Sequence, residues 1–264
     1  MKKVLALALS LVLVLSLTAC GKTETAVSES TEASVEASVE TSVEEASVEE
    51  TSVEEVVEPE VTDEAAVMTY ADYVAADLDS EVVVECYVQA HQSWWDNQIT
   101  VYAADEDGAY FMYNMACSEE DAEKLVPGTK IKVTGFKSEW SGEVEIVDAT
   151  FEILEGSYVA EAFDATSLIG SDDLVNYQNQ LVSFSDMTVT AVSYKNNEPG
   201  DDIYVNLEKD GTEMYFCLEY YLNGSDAEFY DLVGNLEVGA VVDVEGFLYW
   251  YEGANPHLTK VTVK

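Results

Sequence analysis

From residue 81 onward, apolar and polar residues alternate with a period of two. Val82, Val84, Cys86, Val88 and Ala90 fall on one side, and Glu81, Glu85 and Gln89 on the other. A strand with one buried face requires this pattern. A second run, Ile99 to Ala103, leads to Asp107-Gly108, a turn signal, and "AYFMYNM" (109–115) runs back; the two read as a hairpin. Ser118-Glu-Glu-Asp121 has the form of a capping box and predicts a short helix ending near Leu125. Pro127-Gly128 then turns the chain into a strand at Lys130–Val133, and Ser141-Gly142 predicts a hairpin to Val144–Val147.

The second half repeats this order. Leu181–Phe184 and Met187–Val192 open it, Asp202–Leu207 is the second strand, Asp210-Gly211 the turn, and "EMYFCLEY" (213–220) the return. Ser225-Asp-Ala-Glu228 is a second capping-box pattern, and Leu258–Val263 the last strand. Both halves also write G-x-x-x-x-V-x-G-F-x-x-x-x-x-G, at Gly128, Gly135 and Gly142 and at Gly239, Gly246 and Gly253. The first glycine opens a strand. The second sits mid-strand, where a barrel coils sharply and a side chain would obstruct. The third falls at a hairpin tip, where positive φ is cheap.

Five strands with a short helix between the third and fourth is the order of an OB-fold, a small Greek-key barrel. The pattern therefore predicts an all-β chain with short helices: two tandem five-stranded OB-fold barrels, at 66–155 and 160–264. The stretch "KLVPGTKIKVTGFKSEWSGEVEIVDATF" (124–151) resembles the exported bacterial OB domains grouped as tRNA-anticodon-binding-like. The resemblance covers roughly residues 80–153 and, more weakly, 180–263. It implies the fold and no particular ligand, because OB-folds serve many.

The N-terminus points to an address. Lys2 and Lys3 precede an apolar run, Leu5–Leu17, too short to span a bilayer comfortably. The run ends in Leu17-Thr18-Ala19-Cys20, which resembles a bacterial lipobox. Residues 1–19 are thus expected to be a signal peptide and Cys20 a lipid attachment site. Two or more acyl chains on one cysteine anchor stably where one is marginal. Residues 20–64 repeat Ser-Val-Glu and contain no aromatic residue. They read as a disordered acidic tether, since they cannot bury enough apolar surface to offset ordering. Its 44 residues past the cysteine would span roughly 35–40 Å as a coil, more when like charges repel.

Charge changes the picture of partners. The chain has 53 acids against 11 basic residues, all lysine, a net charge of -42. The tether holds 15 of those acids, which leaves 38 against eight lysines from residue 65 onward, a net charge of -30. A single-strand groove needs a positive track beside its aromatic platforms, so the charge argues against nucleic acid as a partner. Lys130, Lys132 and Lys137 cluster, and read as a local salt-bridging patch.

Cys86, Cys117 and Cys217 are widely spaced and form no disulfide framework; they read as small buried apolar residues. Asp105–Gly108 and Asn197–Asp202 are acid-bearing turns without the rest of a calcium loop. His91 and His257 are the chain's two histidines, and no nucleophile motif accompanies them. No metal, no cofactor and no enzyme activity are expected. OB-folds bind on the outer face of the second and third strands, between the loops that join strands one to two and four to five. Those positions hold Trp94, Trp95, Tyr102 and Trp140 in the first half, and Tyr204, Asn206, Trp250 and Tyr251 in the second. Aromatic rings there suit stacking on sugars, bases or peptide side chains.

The expectation is a lipid-anchored, extracytoplasmic binding or scaffolding protein of the cell envelope. Its partners would be the membrane, through Cys20, and a glycan, peptide or protein ligand. The alternatives are a nucleic-acid-binding surface protein and a non-catalytic accessory module to an envelope hydrolase.

Overall fold

A computed structural model of the chain describes residues 66–264. The predicted signal peptide, Cys20 and the tether of 20–64 lie outside the described residues. The described residues are all-β with short helices. Helix α1 (Tyr70–Ala75) leads into strands β1 (Glu81–His91), β2 (Gln98–Ala104) and β3 (Ala109–Ala116). Helix α2 (Glu119–Ala122) separates these from β4 (Thr129–Trp140) and β5 (Glu143–Ser157). The five strands close a barrel in the order β1-β2-β3-β5-β4, that of an OB-fold. Its core is the apolar side of each alternation: Val82, Val84, Cys86, Val88, Ile131, Val133 and Ile146 are all fully buried.

Local chemistry sets the turns. Asp105 Oδ1 accepts from the N–H groups of Asp107 and Gly108, both at 2.8 Å, and fixes the β2–β3 turn. Ser118 caps α2 by accepting from Asp121 N–H at 3.1 Å. Ser141 (φ 53°) and Gly142 (φ 93°) are two successive left-handed residues, as a type I′ hairpin between β4 and β5 needs. β5 is far longer than the four residues its alternation predicts, because it stays paired to β4 from Trp140↔Glu143 to Thr129↔Ser157.

The second half runs β6 (Phe163–Asp164), β7 (Leu181–Tyr194), β8 (Ile203–Lys209), β9 (Thr212–Leu218), α3 (Tyr220–Asn223), α4 (Ala227–Gly234), β10 (Val241–Phe247) and β11 (His257–Val263). They form one sheet in the order β10-β11-β9-β8-β7-β6, and β10 also pairs with β7. The parallel contact of β9 with β11, Cys217↔His257, answers that of β3 with β5, Met112↔Ile146. The predicted return strand stops at Leu218 because Glu219 caps an unpredicted helix, α3, accepting from Leu222 N–H at 2.7 Å. The second capping frame shifts by one: Asp226, not Ser225, accepts from Phe229 N–H.

The mid-strand glycines sit at bulges. Pairing shifts between Thr134 and Phe136, where a Cβ on Gly135 would lie 2.7 Å from Ile146 Cγ2 and 2.8 Å from the Val147 carbonyl oxygen. Pairing also shifts at Gly246, whose Cβ would overlap the His257 carbonyl. Only a residue without a side chain lets the neighbouring backbone come this close.

Candidate ligand-binding site

On the first barrel's outer β2–β3 face, the part at Tyr102 and Phe111 does not meet solvent. Tyr102 is fully buried and Phe111 is 2 % exposed. Tyr102 stacks on Phe247 at the end of β10, with ring centroids 4.4 Å apart and planes 9° from parallel. Its hydroxyl lies 2.8 Å from His257 Nδ1. Leu181, Leu222 and Tyr249 complete the patch. Alternation puts Tyr102 outside the barrel, but the second half of the chain covers it. Tyr102 is thus a core residue of the junction and leaves the set of ligand candidates.

The corresponding face of the second half is open. Tyr204 on β8 is 41 % exposed and Tyr215 on β9 is 56 % exposed. Asn206 is half-buried and pairs directly with Tyr215 across the strands. Two rings and an amide therefore share one surface, with Glu208↔Glu213 at its end. Tyr215 was missed in the sequence, although it alternates with inward Met214 and Phe216.

The loop aromatics fall into two groups. Trp140 and Tyr251 are half-exposed and pack on each other at 5.2 Å. Trp250 is half-buried and covers Gly142, where a Cβ would meet its ring. Two hydrogen bonds join these hairpins: Trp250 N–H donates to the Glu143 side chain at Oε2 and Glu252 N–H to the Ser141 carbonyl, both at 2.8 Å. These rings hold two hairpins together. Trp94 and Trp95 form a separate group around the β1–β2 loop. Trp94 is half-buried against the barrel core and its indole N–H donates to the Cys117 carbonyl at 2.9 Å. Trp95 is the most exposed large apolar ring, at 74 %.

No known protein family matches the chain, and no curated protein matches it. Solved structures do. A murine DNA-binding protein bound to double-stranded DNA is 12 % identical, over 69 % of this chain and 96 % of that one, with a TM-score of 0.36. The HINa domain of Ifi202 in complex with double-stranded DNA is also 12 % identical, over 70 % and 98 %, at 0.33. A replication protein A heterotrimer bound to single-stranded DNA is 11 % identical, over 70 % and 49 %, at 0.30. The likeness is one of fold. It corrects one expectation, that nucleic acid is an unlikely partner: these structures of like fold are bound to double-stranded or single-stranded DNA.

Of the lysines expected to form a salt-bridging patch, Lys137 departs from it. Lys137 is 7 % exposed, and its ammonium donates to the carbonyls of Tyr73, Val74 and Ala76 at 2.8–3.0 Å. It caps the C-terminus of α1, where a cation is favoured, while burial lowers its pKa. Lys130 pairs with Glu85 at 2.6 Å, across β4 and β1.

Buried titratable groups cluster at the junction. Burial pushes the Glu143 carboxyl up to about 9 and raises Glu145 as well. Burial also pushes Glu219 up to about 7 and His257 down to about 3. The imidazole and the Glu143 carboxyl are both neutral at pH 7. Cys86, Cys117 and Cys217 are buried free thiols whose pKa values burial raises, so they are not poised as nucleophiles.

Proposed function

We propose that the chain is a non-enzymatic binding protein of two tandem OB units, lipid-anchored through Cys20 on the extracytoplasmic side of a bacterial membrane. The open β8–β9 face carries the reading. Tyr204 and Tyr215 stand exposed, with Asn206 half-buried between them, on the strands that OB-folds use for ligands, while Tyr102 and Phe111 on the equivalent strands of the first barrel are covered. Rings on such a face stack on flat or ring-shaped ligand units along a polymer. Nucleic acid is a second reading, favoured by the strand order on which OB-folds carry single strands.

The test is a calorimetric titration of the purified full chain with oligo(dT) and with a neutral oligosaccharide. It is repeated with Tyr204→Ala and Tyr215→Ala. Stacking predicts a loss of roughly 1–3 kcal/mol per contacting ring. A phosphate-bearing ligand would weaken steeply as salt rises from about 50 to 200 mM, and a neutral one would not. Binding that survives both substitutions unchanged would show that this face is not the site.

A further inference from the structure

Beyond that face, the structure carries a second candidate site, formed where Tyr221 of the second half meets the loop that holds Trp94 and Trp95. A cleft of about 340 Å³ opens beside the β1–β2 loop, walled by Trp94, Trp95 and Tyr221 and floored by Gln92, Gln98 and Asn114. Its size falls within the roughly 300–1,000 Å³ of small-molecule sites. None of its nine lining residues carries a charge. This stands out on a body with 38 acids against eight lysines.

The cleft is preorganised. Trp95 and Gln98 exchange two backbone hydrogen bonds of 3.0 Å across a two-residue turn. The turn residues, Asp96 and Asn97, are both left-handed, with φ of 47° and 62°, as a type I′ turn requires. Cys117 N–H donates to the Asn97 carbonyl at 3.0 Å and ties the tip to the end of β3. Trp94 is locked by its indole bond to the Cys117 carbonyl. The opposite wall comes from the second half of the chain: the Tyr221 carbonyl accepts from Ser93 N–H at 2.7 Å and from Ser93 Oγ at 3.1 Å. The side chain of Tyr221 is left 59 % exposed. The side-chain amides of Gln92 and Gln98 make no hydrogen bond among the described residues, so both can donate and accept.

We propose that this cleft binds an uncharged pyranose chain. Ring faces of Trp95 and Tyr221 would cover the apolar faces of the sugar, and the Gln92 and Gln98 amides would pair with its hydroxyls. A sugar hydroxyl both donates and accepts, as an amide does, and needs no cation. A nucleotide would bring a phosphate to a lining that holds no lysine.

The experiment is a tryptophan-fluorescence titration of the full chain with cellohexaose, with chitotetraose and with oligo(dT). The expected result is quenching by a neutral oligosaccharide that barely changes between about 50 and 200 mM salt. Trp95→Ala and Tyr221→Ala should each lower that affinity by about tenfold or more, which corresponds to about 1.4 kcal/mol. Val238→Ala, at an exposed position outside both candidate sites, should leave it unchanged. Trp95 is too exposed to support the fold, so an unchanged thermal melt is expected and keeps the variant informative. Three results would overturn the proposal: neither sugar binds, Trp95→Ala binds the sugar as well as the parent does, or oligo(dT) binds in a Trp95-dependent, salt-steep manner. If instead Tyr204→Ala alone removes sugar binding, the β8–β9 reading stands and the cleft fails; the two outcomes are separate.

Discussion

Replacing Glu143 by Gln should change how stability depends on pH, and the structure gives the sign. Glu143 opens β5 at the junction and is fully buried. Its Oε2 accepts from Trp250 N–H at 2.8 Å, while Oε1 has no hydrogen-bond partner. Burial is the main cause that pushes its carboxyl up to about 9, from an ordinary value of 4.5. In the unfolded chain it ionises near that ordinary value. Between those two pH values the folded state therefore holds a proton that the unfolded state has lost. A raised folded-state pKa means the stabilisation is complete below about 4.5 and is lost as pH rises toward about 9. The slope is about 1.4 kcal/mol per pH unit, so about 3 kcal/mol disappears between pH 6 and pH 8. Glutamine keeps an acceptor for Trp250 N–H and cannot ionise. Urea unfolding at pH 6, 7 and 8 should then show the variant gaining on the parent by that amount across the range. Glu145 and Glu219, also raised, give slopes of the same sign in both proteins and cancel in the comparison. If the difference between variant and parent is flat from pH 6 to 8, Glu143 ionises freely in the folded state and the junction is wetter than its burial implies.

Three further outcomes follow, two from named contacts and one from the lipobox-like sequence at Cys20. Gly246→Val should cost at least the roughly 1–3 kcal/mol of an overpacked site, and more than Gly135→Val, because its Cβ would meet the rigid His257 carbonyl first whereas that of Gly135 meets the Ile146 side chain first; equal denaturation midpoints for parent and variants would refute the bulge explanation. Lys137→Met should unpair three carbonyls at the end of α1 and cost about 1–3 kcal/mol, read as faster hydrogen exchange of the Tyr73 and Ala76 amides. Cys20→Ala should release the chain from membranes; a variant that still sediments with them after a high-salt wash would end the lipoprotein reading.

Which of these features the sequence discloses depends on how far away the deciding partner lies. Turns and caps are local, so Asp107-Gly108, Ser118 and Ser141-Gly142 could be read directly. The spacing of Gly135 and Gly246 was also legible, because a bulge in a closing barrel constrains its own strand. Alternation says which side of a strand a residue occupies, and stops there. Tyr102 and Tyr204 occupy the same side of corresponding strands, yet one is fully buried and the other 41 % exposed. Lys137 read as a surface ion-pairing residue, and only the return of α1 onto β4 shows what it caps.

The glycine motif itself shows where the two copies part. Each mid-strand glycine is followed by phenylalanine, Phe136 in the first copy and Phe247 in the second. Phe136 is 43 % exposed, whereas Phe247 is 3 % exposed and stacked on Tyr102. One motif position thus yields a surface ring in one half and the plug over the other half's β2–β3 face in the other. The stack needs Tyr102 and Phe247 to meet across 145 positions of chain, and the bond beside it joins Tyr102 to His257. No window of local sequence contains both partners. The repeat that makes the halves alike in strand order therefore does not make their surfaces alike: Phe247 covers Tyr102 on the first half, while Tyr204 and Tyr215 on β8 and β9 of the second stay exposed.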